Sequence, residues 1–241
     1  MPGGRNRAAR GRPGRRAGAV TARPLRLAVL LSGRGSNLEA ILHACAAGQL
    51  SARVVQVISN RPAAGGLALA AAAGVPTAVI DHRHFSNRPD FEAALAAQLA
   101  ALPCDLVVLA GFMRVLTADF VARYSGRLIN IHPSLLPDFP GLDTHARALA
   151  AGVTEHGASV HFVTAAVDGG PLVAQIVVPV RAGDTPDTLA ARVLAAEHRL
   201  YPTVIGWYAQ GRLALAGERV RLDGLPLAAP VRFAAEGEHH A

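Results

Sequence analysis

The chain contains no lysine; all 24 of its cationic side chains are arginine. That absence excludes Schiff-base lysine chemistry, a lysine general base and the lysine of a P-loop. Cysteine is nearly absent too. Cys45 and Cys104 are the only two among 241 residues and lack metal-ligand spacing, so both are expected to be reduced helix or core thiols of a cytoplasmic protein. Aromatic residues make up only 5% of the chain, which suits closely packed Ala-rich helices. No run approaches the ~18 apolar residues of a membrane span. The N-terminus also lacks the apolar core and cleavage site of a secretory signal. Acidic residues are missing from the first 26 positions, which hold eight arginines (Arg5, Arg7, Arg10, Arg12, Arg15, Arg16, Arg23 and Arg26). Setting those eight aside turns the formal charge of +7 into −1 from Leu27 onward. The basic character therefore belongs to a tail, and the near-neutral body offers no charge-based reason to expect nucleic acid or a membrane surface as partner. Residues 1–23, rich in Gly and Pro and without an amphipathic period, are expected to be a disordered tail.

With 51% hydrophobic residues, the body is long and apolar enough for a sizeable core. An almost unbroken apolar run over 25–32 leads into Gly33-Arg34-Gly35-Ser36-Asn37. A helical pattern follows, with Leu38, Ile41, Leu42 and Cys45 on one face and Gly48 past its end. Strand-like runs then alternate with helical ones. Strands are expected at 54–59, 77–80, 105–111 and 128–131, and helices at 65–73, 89–102 and 117–124. Continuous apolar strands with short connections predict an α/β fold, a doubly wound and mostly parallel sheet with a Rossmann-like first half. Two strands at 158–164 and 172–180, joined by a connection too short for a crossover, make the sheet mixed. A long helix over 187–210 is expected to be interrupted or restarted at Pro202, with short strands near Leu213 and Val220. Residues 24–230 are read as one domain and 231–241 as a frayed end.

Ligands of such sheets bind outside the carboxyl ends of the strands, so the residues just after each strand carry the chemical interest. Gly33-Arg34-Gly35-Ser36-Asn37 places two glycines and a helix N-terminus together, which suits a phosphate or simply a tight turn capped by Ser36 or Asn37. It lacks the third glycine of a dinucleotide fingerprint, because Leu38 follows Asn37. Asn130 and His132 lie two apart on an extended segment and so share a face. They read either as an oxyanion donor beside a general acid–base, or as a buried hydrogen-bonded pair. Asp168, before Gly169-Gly170-Pro171, is either a turn former or a carboxylate partner for an imidazole. His145, His156, His161 and His198 are read as structural or exposed. There is no Gly-x-Ser-x-Gly elbow, which disfavours a covalent acyl-enzyme, and no His-x-x-x-His or similar cluster argues for a metal.

Taken together and in order, Gly33–Asn37, Leu109-Ala110-Gly111-Phe112-Met113-Arg114, Leu128-Ile129-Asn130-Ile131-His132-Pro133-Ser134-Leu135-Leu136-Pro137 with Phe139-Pro140-Gly141, and Ser159-Val160-His161-Phe162-Val163 with Val167-Asp168-Gly169-Gly170-Pro171 resemble a known family. It is the folate-dependent glycinamide ribonucleotide transformylases, within the formyltransferases. The likeness runs from about Arg26 to Leu225. It implies the formyltransferase fold and transfer of a formyl group from 10-formyltetrahydrofolate, as co-substrate, to the amine of glycinamide ribonucleotide, without a metal. By this resemblance Asn130, His132 and Asp168 are catalytic. Gly35, Ser36, Asn37, Pro133 and Glu197 hold the phosphate and ribose of the nucleotide. Met113, Arg114, Val115 and Leu116, with Ala165, Ala166 and Val167, hold the pterin, and Arg88 meets the folate tail. The expected partners are small molecules, with neither nucleic acid nor membrane, and the expected state is a monomer or homodimer. The chain departs from the family pattern in having no lysine near the phosphate, in Asp138 where a basic residue is common, and in Ala165-Ala166 where the loop is usually more polar.

Overall fold

The structure is a computed structural model and describes residues 23–235. Its first half alternates strand and helix: β1 (Leu25–Leu31), α1 (Ser36–Ala46), β2 (Ala52–Ser59), α2 (Gly65–Ala72), β3 (Thr77–Val79), α3 (Arg88–Ala101), β4 (Leu106–Leu109) and α4 (Ala118–Arg123). The second half runs β5 (Leu128–His132), α5 (Thr144–Ala150), β6 (Glu155–Phe162), β7 (Leu172–Pro179) and α6 (Pro186–Ala209), then β8 (Leu213–Ala216), β9 (Arg219–Leu222), β10 (Leu225–Pro226) and β11 (Val231–Ala234). Eight strands form one sheet in the order β11-β7-β6-β5-β4-β1-β2-β3, and β10-β9-β8 form a separate small sheet. Pairing is parallel from β3 through β5 and antiparallel at β5–β6 and β6–β7, which confirms the mixed, mostly parallel α/β sheet.

The apolar strands follow from burial on both faces. Leu27 through Leu31 of β1 are wholly buried. Side chains alternate across a strand. Leu27, Val29 and Leu31 therefore join Leu106, Val108 and the apolar faces of α1 and α6 on one side. Ala28 and Leu30 join Val107, Leu109, Phe91, Leu95 and Phe120 on the other. A strand covered on one face only would have shown polar residues at every second position.

Three expectations need correction. Helix α6 is not interrupted at Pro202; it runs through it as one helix of 24 residues. An internal proline costs roughly 3 kcal/mol. That is outweighed by Leu200, Tyr201, Val204 and Ile205, all essentially buried on either side of it, at about 1.5–3 kcal/mol per large apolar side chain. The C-terminal segment does not fray from residue 231, because Val231–Ala234 pair in parallel with β7 as an edge strand of the main sheet. Arg23, counted with the tail, instead donates to Asp105 Oδ1 at 3.0 Å, beside Arg26, which makes three further bonds to that carboxylate. The rest of the expected tail, residues 1–22, and the last six residues lie outside the described residues. Among the described residues no helix is long and apolar enough to cross a membrane.

Candidate active site

The carboxyl ends of β4 and β5, the turn after β4 and the β6–β7 loop enclose a cavity of about 820 Å³. It is lined by Asn37, Met113 to Leu116, Asn130, His132, Pro133, Ala165 to Asp168 and Glu197. Three of the expected residues stay outside its lining. Gly35 and Ser36 sit at the start of α1, and Arg88 is an exposed residue at the start of α3.

Strand β5 supplies two of the central side chains. Its register against β6 sets Asn130 opposite His161 and His132 opposite Ser159. The carbonyl of Phe139 lies 3.0 Å from His132 Nε2, and Asp168 Oδ2 lies 3.3 Å from Nδ1. A carbonyl and a carboxylate only accept, so both ring nitrogens face acceptors and the doubly protonated ring satisfies both. Asp168 is oriented in turn: its Oδ2 accepts the backbone N–H of Gly141 at 2.9 Å. Its backbone is left-handed, with φ of 50°. Gly170, two residues on, explains how the loop comes so close. A Cβ there would lie 1.8 Å from the carbonyl oxygen of Phe162.

His161 belongs to the site, contrary to its reading as merely structural or exposed. Its Nδ1 must donate to the Phe162 carbonyl at 3.0 Å, which leaves Nε2 to accept from Asn130 Nδ2 at 3.2 Å. Burial lowers the pKa of His161 and keeps that acceptor lone pair available. Asn130 is thereby oriented, with its remaining amide hydrogen left for the cavity. No local motif around His161 announced this role; only the β5–β6 register brings it beside Asn130. His145 and His156 form a second group near His132, their rings perpendicular at 5.2 Å. Burial lowers both, and the nearby charge of His132 lowers them further, His156 to about 4.

At the other end of the cavity, Glu197 of α6 accepts from Asn37 Nδ2 at 2.6 Å. Burial pushes the Glu197 carboxyl up to about 7, against the opposing effect of that hydrogen bond. Asn37 Oδ1 is buried and has no partner. Neither Ser36 nor Asn37 caps α1. The N-cap is Gly35, left-handed at φ 86° with no side-chain bond, so the helix end stays open. Only glycine fits there, since a Cβ would stand 2.6 Å from Gly66 Cα in the neighbouring α2. Tyr201, one turn beyond Glu197, shares its hydroxyl proton between the carbonyls of Leu109 and Ile129, at 2.9 and 3.2 Å, and ties α6 to the strand ends that carry the site.

The cysteines stand apart from the cavity. Both are free, and burial raises both thiols, Cys45 to about 11, which makes them poor nucleophiles. Among the described residues no group of three or more His, Cys, Asp or Glu side chains is arranged to hold a metal ion. The site thus offers hydrogen-bond donors and an imidazole–carboxylate pair, and its lining holds no Ser, Cys or Lys side chain. That set suits direct transfer of a group between two bound molecules.

Comparison with known proteins gives the class. The formyl transferase family matches residues 25–205, and the chain belongs to it. Within it, the chain falls among the phosphoribosylglycinamide formyltransferases, which are one-carbon transferases of purine biosynthesis. The phosphoribosylglycinamide formyltransferase of Escherichia coli (strain K12) is 47% identical over 212 residues, covering 88% of this chain and 100% of that protein. The solved structure of the phosphoribosylglycinamide formyltransferase of Coxiella burnetii has a TM-score of 0.84 and 51% identity, covering 87% of this chain and 99% of that one. The formyltetrahydrofolate deformylase of Burkholderia mallei shares the fold more distantly, with a TM-score of 0.76 and 30% identity over 83% of this chain and 70% of that one.

Proposed function

We propose that the chain transfers the formyl group of 10-formyltetrahydrofolate to the primary amine of glycinamide ribonucleotide. The observation that carries this reading is the convergence of Asn130, His132 and Asp168 in a strand-end cavity whose lining holds no Ser, Cys or Lys side chain. The amine attacks the formyl carbon, and the carbonyl oxygen takes up negative charge in the tetrahedral intermediate. The free amide hydrogen of Asn130, with a protonated or hydrogen-bonding His132, stabilises that oxygen from fixed positions. Asp168, 3.3 Å from Nδ1, orients His132. It also relays a proton, through water, from the attacking nitrogen to N10 of the folate. The carbon–N10 bond then breaks, giving the formylated amine and tetrahydrofolate with N10 protonated.

The two substrates take opposite ends of the cavity. Gly35, Ser36 and Asn37 at the open end of α1 receive the phosphate, where unpaired N–H groups and the helix dipole favour an anion. The unpartnered Asn37 Oδ1 and the Glu197 carboxyl are acceptors suited to ribose hydroxyls, beside Pro133. The pterin lies along Met113, Arg114, Val115 and Leu116 and against Ala165, Ala166 and Val167. Met113, Val115 and Val167 are about half exposed, an apolar surface that a bound ring would cover. Arg88, outside the lining, meets the anionic tail of the folate where it leaves the cavity.

The test is to incubate the protein with 10-formyltetrahydrofolate, with and without glycinamide ribonucleotide, and follow folate deformylation. Deformylation that requires the nucleotide supports the transferase. A rate indifferent to the nucleotide refutes it and points to hydrolysis instead.

A further inference from the structure

The turn over residues 111–116, which forms one wall of the cavity, is held from behind by a buried chain of hydrogen bonds that the transfer reaction does not use. Ser32 follows β1 and is 4% exposed; Asn60 follows β2 and is 1% exposed. Ser32 grips the turn at two points. Its backbone N–H donates to the Gly111 carbonyl at 3.0 Å, and its hydroxyl oxygen accepts the backbone N–H of Met113 at 2.7 Å. The hydroxyl proton then goes to Asn60 Oδ1, 2.5 Å away. That orients the Asn60 side chain, while the backbone carbonyl of the same residue accepts from His82 Nδ1 at 3.0 Å. The chain ends at His82, where the segment after β3 reaches solvent.

What this chain fixes is the backbone that presents Met113 and Val115. Gly111 bends the turn with φ of 73°. Phe112 and Leu116 are buried beneath it, whereas Met113 and Val115 are 53% and 45% exposed at the cavity. Among the described residues the only side chain that accepts from the Met113 amide is Ser32, which is itself oriented by Asn60. Without that acceptor a partly buried N–H loses its partner, and the turn shifts to regain one.

We propose that Ser32 and Asn60 are positioning residues for the folate side of the cavity, acting through the Met113 amide. The proposal rests on the reading above that this wall receives the pterin. In Ser32→Ala, the KM for 10-formyltetrahydrofolate rises about five- to tenfold, the loss of one partly buried hydrogen bond. The KM for glycinamide ribonucleotide and kcat stay within roughly twofold, since neither depends on that amide. His82→Ala perturbs the same chain from its solvent-facing end without opening the core, and raises the folate KM by about twofold. Amide exchange at Met113, followed by NMR without substrates, is faster in Ser32→Ala than in the wild type. Both KM values rising together, or Met113 exchange unchanged in Ser32→Ala, overturns the proposal. A wild-type protein that transfers no formyl group overturns the function instead. The Met113 exchange rate and direct binding of tetrahydrofolate then still decide the positioning role.

Discussion

Replacing Glu197 by Gln tests the electrostatics of the cavity without touching the reacting groups. The Glu197 carboxyl is 6% exposed, and burial raises its pKa from 4.5 to about 7 in the folded chain. In the unfolded chain it ionises at the ordinary value. Between those two pH values the unfolded state has released the proton and the folded state still holds it, so folding becomes less favourable as pH rises. The shift corresponds to about 3 kcal/mol of stability lost by the wild type across that window. His156 acts in the opposite sense. It is 1% exposed, and burial lowers its pKa from 6.5 to about 4. The folded state therefore binds fewer protons than the unfolded one, and stability is lost as pH falls through that range. The two effects are similar in size and opposed over about pH 4.5–6.5, so a wild-type stability curve alone hides both. Asp81, Asp105 and Asp184, each held well below the usual carboxylate range by arginine partners, add pH dependence only in stronger acid. The assay is urea unfolding of wild type and Glu197→Gln at pH 4.5 and pH 8. Relative to the wild type, the variant gains about 3 kcal/mol on going from the acidic to the basic condition. Equal pH dependence in the two proteins refutes the buried, proton-holding carboxyl.

Other expectations follow from the same geometry. His132→Ala and Asp168→Asn each lower turnover by roughly 100-fold or more while nucleotide binding stays near wild type, measured as kcat beside a direct titration. His161→Leu removes the acceptor that orients Asn130, and kcat falls about tenfold with both KM values little changed; an unchanged kcat removes His161 from the account. Removing residues 1–23 leaves kcat/KM unaltered, because every residue assigned to the site follows Pro24 and the exposed Arg23 contact to Asp105 is worth under about 1 kcal/mol.

Much of the fold was legible because burial on both faces writes itself into composition. Leu25–Leu31 and Leu106–Leu109 read as strands for the same reason that they pack into two cores at once. Asn130 and His132 were legible as a pair because strand alternation is local. The resemblance grouped Asp168 with them, but the contacts they make with Asp168 and His161 were not legible. Those contacts depend on the antiparallel register of β6 against β5 and on how closely the loop ending at Gly170 can approach Phe162. The same distinction explains the errors. Pro202 breaks a helix by local rule, but the buried side chains around it come from the whole sheet. Val231–Ala234 is too short to announce a strand, and becomes one because the edge of β7 offers unpaired backbone groups.

The most direct test of the central claim follows the formyl carbon itself. Isotopically labelled 10-formyltetrahydrofolate is mixed with glycinamide ribonucleotide and excess protein in a single turnover. The account predicts that label appears on the nucleotide amine as fast as it leaves the folate, and that Asp168→Asn slows both together. Label recovered as formate, with the nucleotide unlabelled, would contradict it.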